Sequence, residues 1–388
     1  MELYIFDASL NFVGLLDNFI SLQWTRRYAK YGEFELHCSL NPENLALLVR
    51  GNIVWKKDDP EAGYIEFRQM DQDTEGKETL VIKGKFLSGY LNRRIIWGQE
   101  TLQATAETAM RTLVTKHGIT PTNTDRIIPN LILWALKGYS QAVNYQTSYM
   151  NLLDEVENLC GLSELGYRVK FDVTNKKLVF EVYAGLDRSV NQIVNPRCIF
   201  SKEFENILTQ QYTDSLNNFR NTVLIGGMGE GTARKLVTVG TSVGLDRFED
   251  FVDAKDLTNV VNEVTLTDLE YTATLVDRGN SKLGETQEIQ TFDSTVNLNS
   301  NLGYKTDFDL GDIVTCTSKK WGLTLDTRIT EVIEVYEEFG PSISVTFGNN
   351  IPTIIDKIKS ISKQQQYGAS ATSTSIPTTG DIDGGSFI

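Results

Sequence analysis

In Ile20-Ser21-Leu22-Gln23-Trp24-Thr25 and again in Phe34-Glu35-Leu36-His37-Cys38-Ser39-Leu40, apolar and polar residues alternate without interruption. Successive side chains of an extended strand point to opposite faces, so this period of two commits each segment to a strand with one buried and one wetted face. The pattern returns late in the chain, over Ile313 to Thr317, Asp326 to Tyr336 and Ser342 to Phe347. Turn-rich stretches punctuate the first set: Ala29-Lys30-Tyr31-Gly32, Asp58-Asp59-Pro60-Glu61-Ala62-Gly63 and Asp73-Thr74-Glu75-Gly76-Lys77. Many short strands with polar turns at this spacing predict a small barrel or sandwich.

Between the two β-rich ends the period changes. Leu102, Ala106, Ala109, Met110, Leu113 and Val114 fall at helical spacing, with Thr101 as the expected N-cap and Gly118 beyond the end. A second helix is predicted over Ser148 to Cys160, stopped by Gly161, followed by a hairpin of Tyr167 to Val173 and Leu178 to Tyr183. A third is predicted around Leu266 to Leu283, where Gly279 weakens the last turns by about 1 kcal/mol. The expected fold class is therefore mainly β with an α+β insertion: two antiparallel β-barrel-like domains separated by an α/β unit. The expected domains are 1–97, a first barrel; 98–200, the insertion; 201–350, a second barrel with a helical segment; and 351–388, a short amphipathic stretch (Ile354, Ile358, Ile361) leading into an extended polar tail.

Composition narrows the chemistry. With 51 acidic and 37 basic residues the formal charge is -14, which argues against binding nucleic acid through its phosphates. Cys38, Cys160, Cys198 and Cys316 are far apart and there are two histidines, His37 and His117, so no zinc spacing exists and the cysteines read as small buried apolar residues. The N-terminus begins directly with a strand-like stretch and does not read as a signal peptide. No window approaches the roughly 20 apolar residues that span a bilayer, so no membrane-spanning segment is expected.

The motifs that could carry chemistry fail on inspection. Gly226-Gly227-Met228-Gly229-Glu230-Gly231 follows a strand, but Thr232 stands where a dinucleotide fingerprint needs its third glycine, and a strand rather than a helix comes next. It reads as a hairpin tip. His37 lies on the polar side of a strand and His117 at a helix C-terminus, both in structural positions. The paired acids, among them Asp58 and Asp59, Glu155 and Glu157, Asp246, Glu249, Asp250, Asp253, Glu337 and Glu338, read as solvated faces and turns. Asp307, Asp309 and Asp312 lack the order and distal glutamate of an EF-hand and read as a turn. No catalytic, cofactor or metal residue is assigned, and the chain reads as no enzyme.

Three segments, in order, carry a family resemblance: Ser21-Leu22-Gln23-Trp24-Thr25-Arg26-Arg27-Tyr28 with Gly32-Glu33-Phe34-Glu35-Leu36; Gly244-Leu245-Asp246-Arg247-Phe248-Glu249-Asp250-Phe251-Val252-Asp253-Ala254-Lys255-Asp256-Leu257; and Leu310-Gly311-Asp312-Ile313-Val314 with Trp321 to Val332. Together they resemble the siphophage baseplate and tail-tip hub proteins, a family related to the central hub of contractile-tail baseplates. The resemblance implies a structural protein of the virion tail tip, assembled in the host cytoplasm and acting in host entry. It implies a homotrimer whose six β domains ring a central channel and adapt the sixfold tail tube or distal tail protein to a threefold tip. The partners implied are those proteins, the tape measure protein and tip or receptor-binding proteins, with DNA passing through without specific binding. Trp24, Arg26, Asp246, Arg247, Asp326 and Arg328 are the motif positions expected at interfaces or in intrachain pairs. The alternatives are a peptidoglycan hydrolase working through carboxylates of the middle unit, or a carbohydrate-binding tip protein using Trp134 and Tyr139, two residues that read more simply as core.

Overall fold

The computed structural model describes residues 1 to 348 apart from 58, 262 and 263. The amphipathic stretch and polar tail from 351 onward lie outside the described residues. The alternating segments form the predicted strands. The first set comprises β1 (Leu3–Phe6), β2 (Phe12–Leu16), β3 (Ser21–Arg27), β4 (Glu33–Ser39), β5 (Ile53–Lys56), β6 (Ala62–Gln72) and β7 (Glu78–Phe86), with helix α1 (Pro42–Leu47) capped by Asn41. In β4 the burial follows the period of two, with Phe34, Leu36 and Cys38 inside.

The middle segment holds β8 (Gln99–Thr105), α2 (Ala106–Val114), β9 (Leu131–Leu133), β10 (Ala142–Ser148), α3 (Leu152–Ser163), β11 (Gly166–Asp172) and β12 (Lys177–Tyr183). The expected start of the first helix moves: Thr101 lies within β8 and Thr105 is the N-cap, its side chain accepting from the Thr108 N–H. Leu102 fits both periods, and its pairing with Tyr145 on β10 decides for the strand. A single large core joins α2, α3, β11 and β12 to Phe6, Ile53, Ala62 and Tyr64 of the first β segment.

The last part contains β13 (Ile199–Phe200), β14 (Gln211–Ser215), β15 (Thr222–Gly226), β16 (Leu236–Val239), β17 (Glu249–Asp253), the two-residue strands β18 (Val260–Val261) and β19 (Val264–Thr265), α4 (Asp268–Glu285), β20 (Ile289–Thr295), β21 (Ile313–Ser318), β22 (Leu323–Glu337) and β23 (Gly340–Gly348). Strands β16, β15 and β17 form a separate sheet with α4 on one face, closed around Val223, Ile225, Val252, Tyr271 and Leu275. A capping box of Thr267 and Glu270 starts α4. The glycine run after β15 is the expected connection between antiparallel β15 and β16.

The two β segments do not make two barrels. Strand β3 pairs with β4 on one side and with β22 on the other, so one continuous sheet runs β14-β20-β23-β22-β3-β4-β7-β6-β5-β1-β2. Closing the first segment would require β2 to return to β3. The edge of β3 is instead taken by Glu331 to Tyr336 of β22, and among the described residues no sheet closes on itself. The 15-residue β22 makes this arrangement possible, because its first half pairs with β21 and its second half with β3 along the same edge.

Candidate functional site

The seam between the two β segments is where the motif residues from the first and last thirds meet. Alternation along β3 turns Leu22 and Trp24 into an apolar layer, where Trp24 packs against Phe86 and Phe34 at ring-centroid distances of 4.5 and 5.8 Å. Two residues on, the same face carries Arg26, with no exposed surface. Its Nε donates to Glu61 at 3.0 Å, and its Nη1 donates to Asp309 at 3.0 Å and to the Tyr304 hydroxyl at 2.8 Å.

Around it lies a second set of charges. Asp59 accepts from Lys305 at 2.9 Å and pairs with Lys56 at 3.2 Å, while Lys56 reaches Glu334 on β22 at 2.5 Å. Burial alone would lower the Arg26 pKa, but Tyr304, Asp59, Glu61 and Asp309 outweigh it and hold the guanidinium above its ordinary value. Burial would likewise raise Asp59, and Arg26, Lys56 and Lys305 overcome it, holding that carboxyl well below the usual range. Glu61 goes the other way: burial, helped by the charge of Asp59, leaves its pKa raised despite Arg26. A buried ion-pair network of this kind contributes little net stability over an apolar one, yet removing one member strands the others at a cost of about 3–5 kcal/mol. Its effect is positional: Arg26, Lys56 and Asp59, linked to one another through Glu61 and the turn before β6, also reach Asp309, Glu334 and Lys305 across the seam and so fix its register.

On the other side of the seam lies a cleft of ≈ 710 Å³ whose walls include Tyr28, Cys160, Glu164, Asp326 and Arg328. Arg328 lies over the Tyr28 ring, 5.0 Å from its centroid, donates to the Gly311 carbonyl at 2.8 Å and pairs loosely with Glu164 at 3.5 Å. Asp326 accepts from the Thr315 hydroxyl and from Asn191, both at 2.5 Å. Burial pushes the Tyr28 phenol up to about 12 and the Cys160 thiol well above its ordinary value, so neither supplies an anionic nucleophile near neutral pH. The arrangement positions backbone; it does not set an acid against a base.

Of the six motif residues, the structure therefore brings Arg26, Asp326 and Arg328 into intrachain pairs and puts Trp24 in a core. Asp246 and Arg247 stand apart, in the loop before β17, where Asp246 is exposed and Arg247 pairs with Glu249 at 2.5 Å. Several acids read from the sequence as solvated are buried: Asp59 at the junction, and Glu155, which accepts from Tyr145 at 2.7 Å. Asp312, placed in a turn, is buried against Arg188 at 2.9 Å. His117 is also inside, held by Glu100 at 3.2 Å, while Trp134 lies half in solvent with the Lys170 ammonium 3.5 Å from its ring centroid. Sequence reasoning passed over Lys56, Tyr304, Lys305 and Glu334, and read Asp59, Glu61 and Asp309 as turn residues. The one signal for them was Lys56, a cation at the end of an otherwise apolar strand. Cys38, Cys160, Cys198 and Cys316 are buried free thiols, and among the described residues no cluster of His, Cys, Asp and Glu could hold a metal ion.

The model of the family described as Siphovirus ReqiPepy6 Gp37-like protein matches residues 2–349. The chain belongs to that family. No curated protein matches it. Solved structures share the fold at low identity. The 43 kDa tail protein of prophage MuSo2 from Shewanella oneidensis is 13% identical with a TM-score of 0.55, the alignment covering 89% of this chain and 98% of that one. A tail protein from Neisseria meningitidis MC58 is 11% identical with a TM-score of 0.54, over 90% and 96% of the two chains. Prophage tail protein gp18 from Listeria monocytogenes EGD-e is 14% identical with a TM-score of 0.51, over 94% and 100%. This siphovirus family and this fold bear out the resemblance carried by the three ordered segments.

Proposed function

We propose that this chain is a structural hub of a phage tail tip, an adaptor that works through its surfaces. The observation that carries the reading is a siphovirus family match over 2–349 combined with a fold shared over most of the chain with two prophage tail proteins and a third tail protein. The charged seam supports it, because it joins the two β segments into one sheet, as a part under mechanical load requires. The finer reading is a homotrimeric ring with a central channel in the virion, contacting the tail tube or distal tail protein and the tape measure protein on one side and tip or receptor-binding proteins on the other. Two sheet edges left unpaired among the described residues favour self-assembly: β2 at one end, with Phe12, Val13 and Leu15 exposed, and β14 at the other. An edge strand offers unpaired N–H and C=O groups, and different edges on one molecule suit a head-to-tail contact that closes into a ring. Negative-stain micrographs of the purified protein, with mass photometry, test this: threefold rings of three chains are expected, and a monomer at every concentration overturns the trimer.

A further inference from the structure

A surface where the first and middle segments join takes part in neither the seam nor the cleft. Arg94 follows the turn after β7, and Arg126 ends the short turn Thr124–Arg126. Arg94 donates from Nε to the Arg126 carbonyl at 2.5 Å, from Nη1 to the Arg93 carbonyl at 2.9 Å and from Nη2 to the Ile127 carbonyl at 3.2 Å. Arg126 donates back to the Ile95 carbonyl, and its guanidinium lies over Trp97, 4.2 Å from the ring centroid. The two arginines therefore lace together two loops and are fixed in place. Among the described residues neither one makes an ion pair. A guanidinium has five N–H donors, so both keep donors unused after these bonds.

Three exposed apolar side chains stand beside this pair. Trp97 is 51% exposed and Ile95 43%. Tyr149, 67% exposed, sits beside them: Ser148 pairs with Gln99, and the Met150 carbonyl accepts from the Ile96 N–H at 2.9 Å. Tyr149 also has a φ of 56°, a left-handed conformation that costs energy in a bulky residue. Burial, and then the charge of a neighbouring arginine, lowers the pKa of both guanidiniums. An incoming carboxylate would relieve that repulsion, and fixed side chains lose little entropy when it arrives. Tryptophan and arginine beside each other are the residues that most often dominate protein interfaces.

We propose that Arg94 and Arg126, rimmed by Ile95, Trp97 and Tyr149, form a docking site for an acidic segment of another tail protein, one that sets carboxylates beside apolar side chains. Nucleic acid fits less well. It needs a run of cations along its backbone, whereas here the adjacent Lys116 is committed to Glu100 at 2.6 Å. That the ligand is a tail protein rests on the hub reading, while the site itself is tested on this chain alone, so loss of the threefold ring and loss of binding are separate results.

The experiment uses the full chain labelled with 5-fluorotryptophan, which gives one fluorine signal for each of the 5 tryptophans, Trp97 being assigned with Trp97→Phe. It is titrated with a short glutamate and leucine peptide, with single-stranded DNA of equal length and with phosphatidylglycerol vesicles. The peptide should move the Trp97 signal selectively. A fluorescent copy of it should bind about tenfold more weakly to Arg126→Gln, and more weakly as salt rises. Because Arg94→Gln loosens two loops, Ile95→Ser serves as the second variant, with circular dichroism to confirm folding. No movement of Trp97 with the peptide, equal affinity in Arg126→Gln and Ile95→Ser, or a stronger response to DNA or vesicles would overturn the proposal.

Discussion

Asp59 and Glu61, two residues apart in one turn, are pushed in opposite directions by the same buried network. Three cations surround Asp59 and hold its pKa below the unfolded value, so its contribution to stability is present above about pH 4 and is lost as pH falls through the folded value. Glu61 is raised: its contribution is greatest below its unfolded pKa and declines as pH rises through the folded one. Asp59→Asn should therefore flatten the acid limb of a plot of Tm against pH below about 4, whereas Glu61→Gln should remove a decline above it. A pair of variants with indistinguishable pH profiles would contradict these assignments. The composition of Asp58-Asp59-Pro60-Glu61-Ala62-Gly63 announces a turn, and a turn normally means solvent. What surrounds Asp59 in its buried position is Lys305 and Arg26, 246 and 33 positions away, which no local pattern reveals.

Among the elements, α4 shows a conflict between propensity and packing. Gly279 is poor in a helix, yet a Cβ there would stand 2.7 Å from Ile225 and 2.9 Å from Val239. The glycine lets α4 approach β15 and β16 closely. Gly279→Ala should thus destabilise by about 1–3 kcal/mol through overpacking, despite a helix-propensity gain of about 1 kcal/mol. Urea denaturation checks the sign, and a stabilised variant would show that the contact yields. The helix itself was legible from spacing alone. Its glycine read as a weakness because only the packed neighbour gives it a purpose. Leu102 teaches the same lesson at a boundary, since its spacing fits a helix and its partner strand makes it a strand residue.

For the whole molecule the decisive fact is one sheet in place of two barrels. If β3 and β22 share a ladder and Arg26 ties both sides together, the first and last β segments should open together. Hydrogen exchange read by mass spectrometry should show amides of β4 and β7 and those of β20 and β23 losing protection with one free energy. Arg26→Met, which leaves Glu61 and Asp309 without their cation, should lower that free energy by about 3–5 kcal/mol and let the two sets separate. Independent exchange of the two segments in the unaltered protein would mean that the seam does not couple them.

By itself the sequence determined the strand-rich ends, the α/β middle, the buried cysteines and the failure of each catalytic motif, because period, spacing and residue chemistry are local quantities. The ordered motifs also carried the family. Only the tertiary structure decided that the two β segments share a sheet, that Trp24 and Arg26 are interior, and that Arg94 and Arg126 meet on the surface. Alternation tells a strand which face to bury and is silent about which edge it will pair with. That choice depends on backbone hydrogen bonds identical for every residue, so β3 carries no mark in its sequence that its partner lies three hundred residues away on β22.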